Sequence, residues 1–172
     1  VRRQRQMCIR DSSSGGGFKK ITNTKATESS PCFSPDGSKI VFASDSMGGP
    51  QIYTISSSGG KMQRVNTRLS GYCSEPAWNP YDANKIAFTA AVGKGFQVAV
   101  YDFSTRSSKW VSSGENTSGA VWLNDGRHLI CTKSAGDTRK LFVVDTETNS
   151  QKPLHTSSFN AKEADFVYAP RM

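Results

Sequence analysis

Between residues 31 and 67 the chain reads PCFSPDGSKIVFASDSMGGPQIYTISSSGGKMQRVNT: a polar turn, an apolar run, a glycine-bearing turn, then a second apolar run. The runs KIVFAS (39–44) and QIYTIS (51–56) are short and rich in β-branched and aromatic residues, with apolar side chains at both odd and even positions. Such runs predict strands covered on both faces.

The same order of elements returns as PAWNPYDANKIAFTAAVGKGFQVAVYDFSTRSSKWVSS and again as AVWLNDGRHLICTKSAGDTRKLFVVDTETNSQKPLHT. An aromatic marks the first segment at Phe33, Trp78, Trp122 and Phe166, in steps of 45, 44 and 44. A last apolar position recurs at Ile21, Val65, Val111 and Leu154, so markers at both ends of the unit keep one period. Each unit predicts four short antiparallel strands, over residues 31–67, 76–113 and 120–156. Residues 12–24 supply one outer strand, and residues 165–170 one further inner strand. Sheets that are apolar on both faces must cover one another, and identical sheets in tandem do so around an axis. The expected fold is therefore all-β: an incomplete β-propeller of about three full four-stranded blades plus single flanking strands. A β-sandwich predicts no such period.

Turn chemistry agrees with this division. In Ser34-Pro35-Asp36-Gly37 the proline suits the second position of a type I turn, and Gly37 can take the positive φ that closes a hairpin. Asn124-Asp125-Gly126 repeats it, whereas the middle unit carries Asn79-Pro80-Tyr81-Asp82-Ala83-Asn84, which reads as two residues longer and without glycine. Further turns fall at Ser58-Gly59-Gly60, Thr105-Arg106-Ser107 and Thr148-Asn149-Ser150.

With 172 residues, 35% hydrophobic and 21% charged, the chain has the composition of one globular domain or part of one. Its net charge of +8 narrows on inspection. Residues 1–11, VRRQRQMCIRD, hold four arginines against one aspartate and so carry +3 of it. The rest is thinly spread, with no block of like charge and no aromatics interleaved with Arg and Lys, so nucleic acid is not an expected partner. No apolar run long enough to span a membrane occurs, and no apolar stretch of signal-peptide type follows the basic start. Against the strand pattern of Gln51–Ile55, residues 7–11 should form a third strand, yet Asp11 and the crowded arginines break it. Residues 1–11 are accordingly set apart as a non-native or disordered segment, with the propeller over 12–172.

Cys8, Cys32, Cys73 and Cys131 are too widely spaced for a zinc pattern or a disulfide framework and read as small thiols buried in strands. Only two histidines occur; His128 opens a second strand and His155 closes a fourth, so they do not converge. There is no Gly-x-Ser-x-Gly elbow and no phosphate-cradling glycine loop, so no enzyme, cofactor or metal site is expected.

Propeller geometry places the loop before each innermost strand beside the central channel. Positions three before the aromatic, Ser30, Glu75, Gly119 and Glu163, would form a ring whose two carboxylates face a basic group or a cation, or simply solvent. The adjoining stretches Thr27-Glu28-Ser29, Tyr72-Cys73-Ser74 and Asn116-Thr117-Ser118 extend that surface. The candidate contact residues are Glu28, Ser30, Ser74, Glu75, Thr117, Ser118 and Glu163. The repeated Phe33, Trp78 and Trp122 read as packing between blades rather than as a ring for stacking a ligand.

The pattern of Pro31-Cys32-Phe33-Ser34-Pro35-Asp36-Gly37, Lys39–Ser44, Gln51-Ile52-Tyr53 and Gly59-Gly60 resembles the blades of TolB-type propellers over roughly residues 14–172. The run Glu163-Ala164-Asp165-Phe166-Val167-Tyr168-Ala169-Pro170 is similar to the single strand that closes those rings. The resemblance implies a periplasmic, monomeric, non-catalytic scaffold of the Tol-Pal system in Gram-negative bacteria. Its partner would be the peptidoglycan-associated lipoprotein, docked on the propeller near the channel mouth. It also implies an N-terminal α/β domain and six blades, of which this chain carries about half, so the isolated chain is expected to be marginally stable. An alternative is the gating propeller of a prolyl-oligopeptidase-like serine peptidase, built from the same repeats.

Overall fold

The computed structural model describes residues 8–10, 18–114 and 116–154. Among these residues there is no helix, and hence none long and apolar enough to cross a membrane. Fourteen strands form one two-stranded and three four-stranded antiparallel sheets.

The first sheet pairs β1 (Cys8–Arg10) with β2 (Phe18–Lys20). Residues 8–10, set apart in the sequence with the basic start, thus stand where the register argument puts a third strand, with residues 18–20 as the fourth. Blade one contains β3 (Glu28–Phe33), β4 (Lys39–Ser44), β5 (Gln51–Ser56) and β6 (Gln63–Arg64) in that spatial order. Blade two repeats the order with β7 (Cys73–Trp78), β8 (Lys85–Val92), β9 (Gly95–Asp102) and β10 (Ser107–Trp110). Blade three follows with β11 (Thr117–Trp122), β12 (His128–Ala135), β13 (Thr138–Asp145) and β14 (Gln151–Pro153). Together they are an all-β, unclosed β-propeller. The closing strand expected at residues 165–170 lies outside the described residues.

Strand alternation decides which residue meets which neighbour, since successive side chains point to opposite faces. In β4, Ile40 and Phe42 turn back toward Ile21 and pack with Tyr53 and Ile55. Val41 and Ala43 turn forward with Ile52 and Val65 onto Trp78, Ile86, Phe88 and Tyr101 of blade two. Blade two repeats this: Ala87, Val98, Val100 and Val111 meet Trp122, Leu129, Cys131 and Val144 of blade three. Where a blade lies between two others, its central strands are therefore apolar on both faces.

Phe33 departs from the expected packing role. Trp78 and Trp122 are buried, but Phe33 is 47% exposed. Trp122 donates its indole N–H to the Ala77 carbonyl of the preceding blade's innermost strand, at 3.0 Å. No innermost strand stands before Phe33 among the described residues, because β1 and β2 are outer strands.

The first hairpin turns match their chemistry. Gly37 and Gly126 have φ of +69° and +66°, and their N–H groups donate to Ser34 and Leu123. The closing bonds Ser34–Lys39, Asn79–Lys85 and Leu123–His128 show the middle loop to be one residue longer, not two. Asn79 compensates for its missing glycine: its buried side chain accepts from Tyr81 and Asp82 N–H and donates to Gly126 O across the blade boundary, at 2.7 Å.

Candidate functional site

Of the candidate contact residues, Glu28, Ser30, Ser74, Glu75, Thr117 and Ser118 sit within strands, not in the loops before them. Each innermost strand starts three residues earlier than the sequence suggests, at Glu28, Cys73 and Thr117. The pairing shifts register between Ser29 and Cys32, between Ser74 and Ala77, and between Ser118 and Val121. Two residues there oppose one on the neighbouring strand, which is a β-bulge. Its first residue takes left-handed backbone in all three blades: Ser30 at φ +53°, Glu75 at +51° and Gly119 at +65°.

Glu75 is exposed, but its carboxylate is engaged. It accepts the Thr89 hydroxyl at 2.8 Å and the Gly119 N–H of blade three at 3.0 Å, fastening the inner strands of two blades. Glu28 is buried, and its carboxylate accepts the hydroxyls of Thr22, at 3.1 Å, and Thr24. Thr117 is fully buried, and its hydroxyl has no partner among the described residues. Ser30 is exposed, while Ser74 and Ser118 are half-buried beside the bulges. Glu163 lies outside the described residues. The structure therefore brings Glu75 and Gly119 into contact and assigns the Glu28 and Glu75 carboxylates to holding the fold.

At the opposite end of the blades, carboxylates close turns. Asp36 accepts from the Ser34 and Ser38 hydroxyls and the Ser38 N–H, and these bonds bring its carboxyl down to about 2. Burial works to raise Asp125, but the N–H groups of His128 and Arg127 and the His128 ring outweigh it and leave the carboxyl at about 2. The Arg127 guanidinium grips Asp145 through two bonds, 3.0 and 2.6 Å, and holds its carboxyl well below the usual range. His128 belongs to this cluster at 2.5 Å from Asp125; His155 lies outside the described residues. Among the described residues no group of three or more His, Cys, Asp or Glu is arranged to hold a metal.

The cysteines are free thiols where described. Burial pushes Cys131 up to about 12, and it also raises Cys73 and Cys32. Cys32 accepts the Trp78 N–H across the first blade boundary, at 3.3 Å.

What distinguishes this propeller from others is the family pattern of its blades. The family model of the TolB beta propeller domain matches residues 5–168. The chain belongs to that family. It is 26% identical over 156 residues, 90% of its own length, to the uncharacterized peptidase YuxL of Bacillus subtilis (strain 168). It is 40% identical over 55 residues, 32% of its length, to the Tol-Pal system protein TolB of Bordetella pertussis. The chain spans 22% and 13% of these two proteins. The crystal structure of TolB from Acinetobacter baumannii superimposes with a TM-score of 0.69 at 24% identity, over 84% of this chain and 36% of that one. That likeness speaks for the fold.

Sequence reasoning missed one exposed feature at the channel-mouth end. Tyr72 and Phe96 lie with ring centroids 5.5 Å apart, both more than a third exposed. Tyr72 was read within a polar stretch, and Phe96 stands in the glycine-bearing gap before the third apolar run of the middle unit, with no reading of its own. The signal available was Phe96's place one residue beyond the turn at Gly93-Lys94, where a strand end leaves its neighbour's shelter.

Proposed function

We propose that the chain is part of the propeller of a periplasmic TolB-like protein and acts as a non-catalytic interaction scaffold in the Tol-Pal system, with the peptidoglycan-associated lipoprotein as its partner. The observation that carries this reading is the match to the TolB propeller family over residues 5–168, joined by the local identity to a Tol-Pal TolB. Consistent with scaffolding, the Glu28 and Glu75 carboxylates and the Cys32 and Cys73 thiols make hydrogen bonds within the fold. The direct test is pull-down of the chain by the purified lipoprotein from the same genome. Retention supports the reading; no retention, alongside retention of a complete TolB from that genome, refutes it for this chain.

A second reading is favoured by the alignment to YuxL over 90% of the chain. It makes this propeller the gating unit of a serine peptidase. The continuing reading frame separates the two, since a following hydrolase domain with a Gly-x-Ser-x-Gly elbow belongs only to the peptidase.

A further inference from the structure

We propose that the inner end of blade three, over Gly119, binds a small unbranched carboxylate in the place that the Glu75 side chain takes in blade two. The inference is independent of both readings of function, since it draws only on the comparison of one blade with the next.

Register makes the two places equivalent. Ser74 pairs with Thr89 and Ala77 with Ala87, and Glu75 opens the bulge between them. Ser118 pairs with Thr132 and Val121 with Ile130, and Gly119 opens the same bulge. The backbone is alike as well, at φ +51° for Glu75 and +65° for Gly119. Blade two therefore shows what fits: a carboxylate on a short methylene arm, accepting the Thr89 hydroxyl at 2.8 Å.

Blade three keeps the donor and drops the acid. Thr132 is 6% exposed, and its hydroxyl has no partner among the described residues, although buried polar groups are ordinarily bonded. Nothing among the described residues lies within 4 Å of a Cβ built on Gly119, so the room a Glu75-like arm needs is present. Away from water such a donor bonds a charged acceptor strongly. The close cover around Thr132 admits a narrow acid and excludes a branched one. Blade one has no such place, because Ala43 stands where Thr89 and Thr132 do. The Thr117 hydroxyl is also unpartnered, but Thr117 pairs with Lys133, on the face that carries Cys131 into blade two, and so points the other way.

Arg139 adds to the hydroxyl. It pairs with Ser134 and so shares a face with Thr132 and Leu141, about 7 Å along the strands and within reach of a long side chain. Phe96 holds that position in blade two. Two carboxylates oppose an anion here. Asp137, in the turn beyond the paired strand ends, is farther from Thr132 along the strands than Arg139 is, and Glu75 holds the Gly119 N–H from the blade-two side. Both stay charged, so the hydroxyl carries the recognition rather than a net positive field.

The probe is sodium propionate, which reproduces the Glu75 side chain from its β-carbon outward. In the full 172-residue chain the amide chemical shifts of Gly119 and Thr132 should move and saturate, with half-saturation on the order of 10 mM, while equal sodium chloride moves them little. Thr132→Val should weaken binding about tenfold or more. Propionamide, which lacks the charge, and pivalate, which is branched, should each bind about tenfold more weakly than propionate. Gly119→Glu should fill the place from within: the propionate response should vanish, and the variant should unfold at higher urea than Gly119→Gln. That difference should disappear in the Thr132→Val background. If Gly119→Glu does not fold, Thr132→Val against the unaltered chain decides. Absence of a saturable response overturns the proposal, and so does a response that survives Thr132→Val unchanged. Equal binding of pivalate overturns it as a reading of charge alone, and equal binding of propionamide as a reading of shape alone.

Discussion

Ser30, Glu75 and Gly119 occupy one left-handed backbone position with three different side chains, so each of them combines strain and bonding differently. A side chain in this region costs roughly 1–2 kcal/mol, which glycine avoids. Nothing lies within 4 Å of a Cβ built on Gly119, so Gly119→Ala should cost about 1 kcal/mol through the backbone alone, read from urea unfolding. Thr89 and Thr132 are equivalent in register, opposite Ser74 and Ser118. The Thr89 hydroxyl donates to Glu75, whereas Thr132 stands in a blade whose own bulge residue is glycine, and its buried hydroxyl has no partner among the described residues. Thr89→Val should therefore destabilise by about 1 kcal/mol, and Thr132→Val should be neutral or stabilising. Equal losses in both variants would contradict this account. The turn carboxylates give a pH dependence with a definite sign. Asp36 and Asp125 sit at about 2 when folded, below the roughly 3.9 of an unfolded aspartate. The unfolded chain thus binds more protons between those values, so their contribution is complete above about pH 4 and fades as pH falls toward 2. The urea midpoint should drop across that window, and Asp36→Asn with Asp125→Asn should flatten the drop.

Strand pattern was legible wherever side chains alternate between two apolar neighbours. KIVFAS and KIAFTA announce covered strands because Ile40/Phe42 and Ile86/Phe88 pack backward while Val41 and Ala87 pack forward. The beginnings of the innermost strands were not legible, since Pro31 and Pro76 read as boundaries and the residues before them are polar. The ladder continues through each proline because it sits second in the bulge, where no ladder N–H is required. This misplacement turned strand residues Glu28, Ser74 and Thr117 into supposed loop contacts. Phe33 failed for a different reason: a fixed place in the repeat buries an aromatic only if the preceding inner strand is there to meet it. Two alanine variants separate place from neighbour. Leu129→Ala, fully buried between blades two and three, should cost about 2–5 kcal/mol, whereas Phe33→Ala should cost well under half of that. Thermal unfolding of the two variants side by side would check the difference, and equal losses would mean Phe33 has a partner after all.

Among the described residues, the forward face of blade three lacks the cover that blade three gives the forward face of blade two. Ile130, Leu141 and Val143 are half-buried, whereas Ala87, Val98 and Val100 at the same register positions of blade two are buried. Apolar area of this kind carries about 25 cal/mol per Å² when removed from water, so an open blade face is a standing drive toward association. The 172-residue chain should accordingly bind a hydrophobic dye, and its melt should be broad and shift with protein concentration. Leu141→Thr with Val143→Thr should lower dye binding and the concentration dependence at little cost in stability, because neither side chain is fully covered to begin with. The same substitutions at Val98 and Val100 should instead unfold the chain, since there they would place unpartnered hydroxyls between two packed sheets. A sharp melt, independent of concentration and without dye binding, would show that this face is closed in solution. The edge of the described propeller would then be a finished surface rather than the site where another blade belongs.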